Sequence, residues 1–259
     1  PAAEAQFTAA LRSLQPGEDA QRATALAELG DVYLVKDELA QAVQAYSQSL
    51  AIYKRLSNKR GMAVDLRNLG AAYSLQRRHD DAIRSLKEAL KYTTPLNADN
   101  AAITAQVLNS LGVAYYRMAQ NHKAEDYFNQ ALRIISMYQV PFDEGQTFNN
   151  LGAVYFEKRD YRKAEEYMNR ALALTEARVG PNHPDLIFTL SAIGVLYTGM
   201  GRYDDAIARF QRALKIVEPQ PDDFETRIAR LLHGMAAAHR KAGRLNEAAD
   251  EMARATVIA

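Results

Sequence analysis

The chain of 259 residues contains no cysteine, no tryptophan and no long apolar run. Without cysteine it can have no disulfide bond, no thiol nucleophile and no cysteine-ligated metal. No apolar stretch approaches the roughly 18 residues that a membrane-spanning helix needs, so we expect no membrane span and a cytoplasmic location. The 32 basic and 31 acidic residues nearly balance, which does not favour nucleic acid as a partner.

Motifs that carry catalytic chemistry are also scarce. The sequence has no glycine-rich phosphate loop and no histidine pair at helical spacing with a carboxylate between. Its five histidines are scattered, so we expect neither a metal site nor a cofactor. The "HPD" segment at residues 183–185 has a structural explanation, in which Gly180 and Pro181 end one helix and Asp185 caps the next. These absences predict a protein that is not an enzyme.

The charges are unevenly distributed along the chain. Residues 51–92 hold ten basic and four acidic side chains, whereas residues 1–50 hold three and seven. A solvated helical face is the simpler interpretation of the basic stretch, and a patch for an acidic partner is the alternative.

A short phrase with a glycine near its centre recurs along the chain, as in "NSLGVAY" at 109–115 and "NNLGAVY" at 149–155. The glycines are separated by 40, 42, 40 and 42 residues, and they are Gly30, Gly70, Gly112, Gly152 and Gly194. An alanine follows each glycine by twelve residues, and the last such alanine, Ala248, assigns Ala236 rather than Gly234 to the glycine column. A period of this length is typical of stacked repeats.

Each repeat has the pattern of two amphipathic helices. In one first helix, Phe148, Leu151 and Tyr155 share a face at helical spacing. A glycine inside a helix costs roughly 0.5 to 1 kcal/mol relative to alanine, so its recurrence at one position needs another cause. We predict that the small residue lets the two helices of a repeat, and neighbouring repeats, approach closely. The tyrosines three residues after the glycines are then packing residues rather than a surface for stacking on bases.

The order of an apolar residue, Leu, Gly and Tyr in the first helix, then Ala, an aromatic residue, Ala and Leu in the second, resembles the tetratricopeptide repeat. The repeat length, the asparagines before "LG" and the segment "VGPNHPDL" at 179–186 are similar to the kinesin light chain type in particular. The pattern departs from the family at Leu86, Met168 and Met252, which replace the aromatic residue. The resemblance implies an all-α fold, a right-handed α-α superhelix of about 13 helices.

We expect a single solenoid over residues 1–259. Residues 1–14 match the second helix of a partial repeat, so the chain would begin midway through a repeat. The helix-pair repeats are predicted at 20–56, 61–93, 100–138, 142–178, 184–217 and 223–258.

The resemblance also implies a binding site on the first helices, which line the inner wall of such solenoids. Its contact positions lie six and three residues before the glycine, one residue after it, and four or five residues after it. Those that we select as the peptide-binding groove are Arg67, Gln106, Asn109, Tyr116, Arg117, Gln146, Asn149 and Phe156. The column six residues before the glycine also contains Phe188 and Arg230.

The selected side chains suit an extended polypeptide. Asn109 and Asn149 recur 40 residues apart, and their amides could donate to and accept from the main chain of a peptide. Tyr116 and Phe156 would provide apolar pockets, and the arginines could receive a carboxylate. The competing interpretation is that these are ordinary hydrated helix residues.

These expectations favour a non-catalytic scaffold that binds a peptide or a helical segment of another protein in its groove. The alternative is a ligand-sensing regulatory domain of a larger signalling or transcription protein. Self-association is a further hypothesis, because the last helix, "NEAADEMARATVIA" at 246–259, ends in apolar residues with no polar helix after it.

Overall fold

A computed structural model describes residues 2–15, 17–140, 144–217 and 225–258. Within these ranges the chain forms thirteen α-helices and no strand. The helices are α1 (Ala2–Ser13), α2 (Asp19–Val35), α3 (Leu39–Arg55), α4 (Lys59–Leu75), α5 (His79–Tyr92), α6 (Ala98–Arg117), α7 (Asn121–Tyr138), α8 (Glu144–Glu157), α9 (Tyr161–Val179), α10 (Leu186–Gly199), α11 (Tyr203–Val217), α12 (Glu225–Lys241) and α13 (Leu245–Ile258). Residues 142 and 223, the predicted starts of two repeats, lie outside the described residues.

The helices fall into two compact units, Pro1–Phe142 and Asp143–Ala259. In the first unit α2 packs on α3, α4 on α5 and α6 on α7, and α1 packs on α2. In the second unit α8 packs on α9, α10 on α11 and α12 on α13. The chain is therefore an all-α repeat of helical hairpins, as the sequence predicts.

The recurring glycines lie where the two helices of a hairpin touch. A Cβ atom at Gly112 would come within 2.5 Å of Cε1 of Phe128, and one at Gly194 within 2.6 Å of Cζ of Phe210. Both rings belong to the second helix of the same hairpin and are 1% exposed. Any side chain at the glycine would displace a buried ring, which confirms close helix approach as the reason for the small residue.

Gly234, which lies outside the glycine column, contacts a residue of a different hairpin. A Cβ atom at Gly234 would lie 2.7 Å from Cε1 of Phe210, which belongs to the preceding hairpin, and the buried Ala236 occupies the glycine column instead. Small residues thus allow close contact both within a hairpin and between successive hairpins. The tyrosine column contributes to the same core, since Tyr115, Tyr155 and Tyr197 are buried.

The turn within each hairpin contains one residue with a left-handed backbone. These residues, whose φ lies between 56° and 78°, are Asp37, Arg77, Ala119, Arg159, Gly201 and Gly243. The next residue donates its amide hydrogen to a carbonyl five residues earlier, as Gln120 does to Tyr115 at 2.9 Å. This hydrogen bond ends the first helix and reverses the chain into the second.

The segment at residues 180–185 differs in one respect from the sequence prediction. Helix α9 ends before Gly180 as expected, and Asp185 stands at the first position before α10. However, the Asp185 side chain makes no capping hydrogen bond and instead accepts from Arg178 at 3.2 Å. The predicted cap is therefore wrong, because an arginine on α9 lies close enough to bind the carboxylate.

Candidate functional site

A cavity of about 620 Å³ in the second unit is lined mainly by the first helices of three successive hairpins, α8, α10 and α12. Its wall consists of Gly145, Gln146, Asn149, Thr175, Pro184, Asp185, Ile187, Phe188, Thr189, Ser191, Ala192, Arg227, Arg230 and Leu231. The size is within the range of small-ligand and peptide side-chain pockets.

One wall of this cavity carries two of the predicted groove residues. Asn149 is 3% exposed, and its Oδ1 atom accepts no hydrogen bond from the residues that the structure describes. A buried amide oxygen without a donor costs about 1 to 3 kcal/mol. Because this oxygen exposes less than 1 Å² to solvent, a ligand donor reaches it only when neighbouring side chains move. Gln146 lies almost one turn earlier on α8 and is exposed. The structure thus brings these two predicted residues into one cavity.

The other walls supply apolar surface and positive charge. Phe188 on α10 is 66% exposed, which is unusual for a large apolar side chain in a concave site. Arg227 and Arg230 are exposed on α12, and Leu231 beside them is buried. Phe188 and Arg230 belong to the column six residues before the glycine, which the sequence predicts to make contacts. Arg227 lies in no predicted contact column. Its position one helical turn before Arg230 could have indicated that the two arginines share a face.

Phe156, the third predicted residue of this unit, lies apart from the cavity wall. Its ring centroid is 5.8 Å from that of Tyr161. A Cβ atom at Gly199 on the next first helix would be 2.9 Å from Cε2 of Phe156. The ring is therefore half-buried between Tyr161 of its own hairpin and Gly199 of the next one, and it presents less free apolar surface than the sequence suggests.

In the first unit, Arg67 lies on α4 with one hydrogen bond from its guanidinium, and its buried Nε donates to none of the described residues. Its Nη2 donates to Oδ1 of Asn68 at 2.7 Å. Burial lowers the pKa of Arg67, and the negative charges of Asp31 and of Tyr46, when ionised, oppose that shift. Asp31 in turn accepts from the Tyr46 hydroxyl at 2.6 Å. Arg67 lines a cavity of about 340 Å³ between α2 and α4.

The remaining predicted residues of the first unit all lie on α6. Asn109 is buried, Gln106 and Tyr116 are half-buried, and Arg117 is exposed at the end of the helix. Arg117 donates from Nη1 to the carbonyl oxygen of Ser74 at 3.0 Å, so it links the ends of α6 and α4. The sequence predicts the face of α6 on which these residues lie, but not this contact with the neighbouring hairpin.

The α8–α10–α12 cavity and the α2–α4 cavity are lined by polar, charged and aromatic side chains. No group of three or more His, Asp or Glu side chains in the described part of the chain could hold a metal ion. None of its helices combines the length and hydrophobicity that crossing a bilayer requires. The cavities instead offer amides, arginines and aromatic surface, which are the groups that bind peptides.

Helical hairpins that meet at small residues define an α-helical repeat protein. The family model of the tetratricopeptide repeat matches residues 21–94, 62–136, 143–219 and 189–259. The chain therefore belongs to the tetratricopeptide repeat family, as the repeat pattern predicts.

Individual relatives agree with this assignment. The chain is 24% identical over 218 residues to the protein kinesin light chain-related 2 of Arabidopsis thaliana; the match covers 81% of this chain and 27% of that protein. The chain thus spans about a quarter of the length of this relative.

Solved structures show the same fold. BtubC (BKLC) from P. vanneervenii has a TM-score of 0.73 at 20% identity, covering 85% of this chain and 90% of that one. The Rap conjugation gene regulator of the plasmid pLS20, in complex with the Phr* peptide, has a TM-score of 0.65 at 16% identity, covering 93% and 74%.

Proposed function

We propose that the protein is a non-catalytic scaffold that binds a peptide or a helical segment of another protein on its first helices. The observation that carries this proposal is the cavity between α8, α10 and α12, where the unsatisfied Asn149 oxygen, the exposed Phe188 ring and Arg230 line one space. These are a hydrogen-bond acceptor, an apolar anchor and a cation. A polypeptide segment offers the complement of all three.

Each group has a separate role in the proposed complex. The exposed Gln146 offers both a donor and an acceptor to the main chain of the ligand, and the Asn149 oxygen accepts a main-chain amide once neighbouring side chains move aside. Phe188 packs against an apolar side chain, which provides most of the binding free energy. In the first unit the predicted contacts, Arg67, Gln106, Asn109, Tyr116 and Arg117, remain part of the proposal.

Binding by relatives of the same fold supports this function. The Rap conjugation gene regulator was solved in complex with a peptide, which shows that this type of helical repeat can hold one. Tetratricopeptide repeats generally act in protein–protein interaction, and catalysis is not part of the proposal.

Three alanine variants test the site: Asn149→Ala and Gln146→Ala in the cavity wall, and Gln211→Ala as the matched control for Gln146→Ala. Short linear peptides are first selected from a displayed random library on the wild-type chain, and their affinity is then measured by calorimetry. We expect Asn149→Ala and Gln146→Ala each to weaken binding by roughly fivefold to tenfold, because each removes one hydrogen bond. Gln211→Ala, at an exposed position on the second helix α11, is the control and should bind as the wild type. Equal affinity of all variants would remove the proposed site.

The second candidate function is a ligand-sensing regulatory domain of a larger signalling or transcription protein. The likeness to a conjugation gene regulator with a bound peptide favours it. This function requires that the ligand change the conformation of the chain. Small-angle scattering with and without a selected peptide distinguishes the two, because a scaffold should give the same profile in both states.

Self-association through the last helix is part of the proposal for partners. Leu245 and Val257 on α13 are 66% and 89% exposed. Light scattering over a range of concentrations should show a rising mass for the wild type and a constant monomer mass for Leu245→Lys/Val257→Lys. The cytoplasmic location stays a prediction from the sequence.

A further inference from the structure

The cavity between α2 and α4 in the first unit contains a buried carboxyl group, that of Asp65, to which no described residue donates a well-formed hydrogen bond. Asp65 on α4 is 0% exposed and contributes to the cavity lining. Neither of its side-chain oxygens forms a hydrogen bond within the described residues. A buried ionised carboxylate without a partner costs several kcal/mol, so the fold keeps an unfavourable group at this point.

The groups around Asp65 do not neutralise it. On α3, Ser49 lies near the carboxyl group, but its hydroxyl donates to the carbonyl oxygen of Ala23 at 2.8 Å. On α4, Arg67 donates to Asn68 and interacts with Asp31. Burial raises the pKa of Asp65 to about 7; the Ser49 hydroxyl opposes this and the Asp31 charge adds to it. Burial therefore favours the neutral, protonated form of this carboxyl group.

The cavity wall carries further carboxylates. Glu28 and Asp31 are exposed on α2, and Arg60 is exposed at the start of α4. Asp31 accepts from the Tyr46 hydroxyl at 2.6 Å and from Nδ2 of Asn68 at 3.4 Å, contacts that leave its other oxygen for a ligand. With Asp65 ionised, three acidic and two basic side chains line the cavity.

We propose that this cavity binds the cationic side chain of a lysine or arginine in a partner polypeptide. Glu28 and Asp31 contact the cation, and Asp65 supplies a buried negative charge behind them. The inference rests on the proposed function, because it assigns one side chain of the bound polypeptide. A metal ion is a poorer occupant, since the described residues hold no group of three or more metal-ligating side chains.

The size of the cavity agrees with this occupant. Its volume of about 340 Å³ is at the lower end of the range for small-ligand sites, which suits one long side chain better than a cofactor. The apolar part of a lysine or arginine side chain can pack on Tyr53 and Val64, which also line the cavity.

Binding of a cation should release a proton from Asp65. A positive charge favours the ionised carboxylate and lowers its pKa, so the affinity rises with pH until Asp65 is ionised in the free protein. For a group whose pKa is raised to about 7, the affinity should increase by up to about tenfold between about pH 6 and about pH 8.

The experiment compares two small probes on the full chain. Nα-acetyl-lysine methylamide is the cationic probe, and Nα-acetyl-norleucine methylamide has the same apolar stem without the charge. Carbon-detected NMR follows the Asp65 carboxyl resonance through a pH titration at high probe concentration. We expect the lysine probe, and not the norleucine probe, to lower the midpoint of that titration.

Asp65→Asn tests the role of the buried carboxyl group, and Asp80→Asn is its control. Asp65→Asn should weaken binding of the lysine probe and abolish its pH dependence, whereas Asp80→Asn, at an exposed position on α5, should change neither. Equal binding of the two probes, or an unchanged pH dependence in Asp65→Asn, would overturn the inference. If Asp65→Asn does not fold, the titration of the wild type with the two probes decides alone. Failure here would leave the α8–α10–α12 site standing, because that site is tested by the Gln146 and Asn149 variants.

Discussion

Replacement of Gly112 by alanine tests the reason for the glycine column. An alanine in an unconstrained helix position is about 1 kcal/mol more favourable than glycine. At Gly112, however, the new methyl group would lie 2.5 Å from Cε1 and 2.6 Å from Cδ1 of Phe128, well inside van der Waals contact. The Phe128 ring is rigid and 1% exposed, so it can move only if α6 and α7 separate.

The two effects can be compared in magnitude. Overpacking of a dense core costs typically 1 to 3 kcal/mol, and a contact with a rigid ring at this distance belongs at the upper end. After subtraction of the helix-propensity gain, Gly112→Ala should lower the free energy of unfolding by about 1 to 2 kcal/mol.

Urea denaturation followed by circular dichroism measures this change. Ser110→Ala, on the same helix but not on the same face, is the control and should shift the free energy of unfolding by less than about 0.5 kcal/mol. A Gly112→Ala protein that is as stable as the wild type, or more stable, would refute close helix approach as the reason for the glycine.

Three further predictions concern stability. The folded pKa of Asp65, about 7, exceeds the unfolded value, so its contribution to stability is present at low pH and is lost as pH rises from about 4 to about 7. Asp65→Asn should remove up to about 4 kcal/mol of that pH dependence in urea titrations; an unchanged slope contradicts it. Ala119→Gly should raise the unfolding free energy by up to about 1 kcal/mol, because Ala119 has a φ of 56°, and a loss of stability would count against the turn geometry. Tyr197→Phe removes a 2.9 Å hydrogen bond to Glu165 and should cost about 1 kcal/mol in thermal unfolding, while a neutral effect would mean that Arg202 alone holds Glu165.

The sequence predicts the fold well because the same contact between a glycine and a large side chain recurs in successive repeats. Gly30, Gly112 and Gly194 each accept an aromatic ring from sixteen residues later, and the same spacing joins Gly70 to Leu86 and Gly152 to Met168. The helix period and the requirement for close contact are local in sequence, so both are visible without coordinates. The likeness to tetratricopeptide repeats follows from the same positions.

The candidate site is less predictable from the sequence. The helix period identifies Gln146 and Asn149 as neighbours on one face of α8, but it does not show that the Asn149 oxygen lacks a donor. Phe156 and Arg117 occupy predicted contact columns, yet they bind Tyr161 and the Ser74 carbonyl in neighbouring elements. Such pairings depend on distances between different helices, which a column of residues does not contain.

The role of Gly112 can be explained from the sequence, whereas the properties of Asp65 can be explained only from the structure. The pattern of residues alone accounts for the glycine, because a small residue repeated at a fixed interval has one physical use, the approach of two helices. The aspartate occupies a column that holds Ala25, Val107 and Thr147 in other repeats, and nothing in that column indicates its burial, its missing hydrogen bonds or its nearness to Asp31. Those properties arise from the packing of α2, α3 and α4 around one carboxyl group, since desolvation and charge interaction act through space and not along the chain.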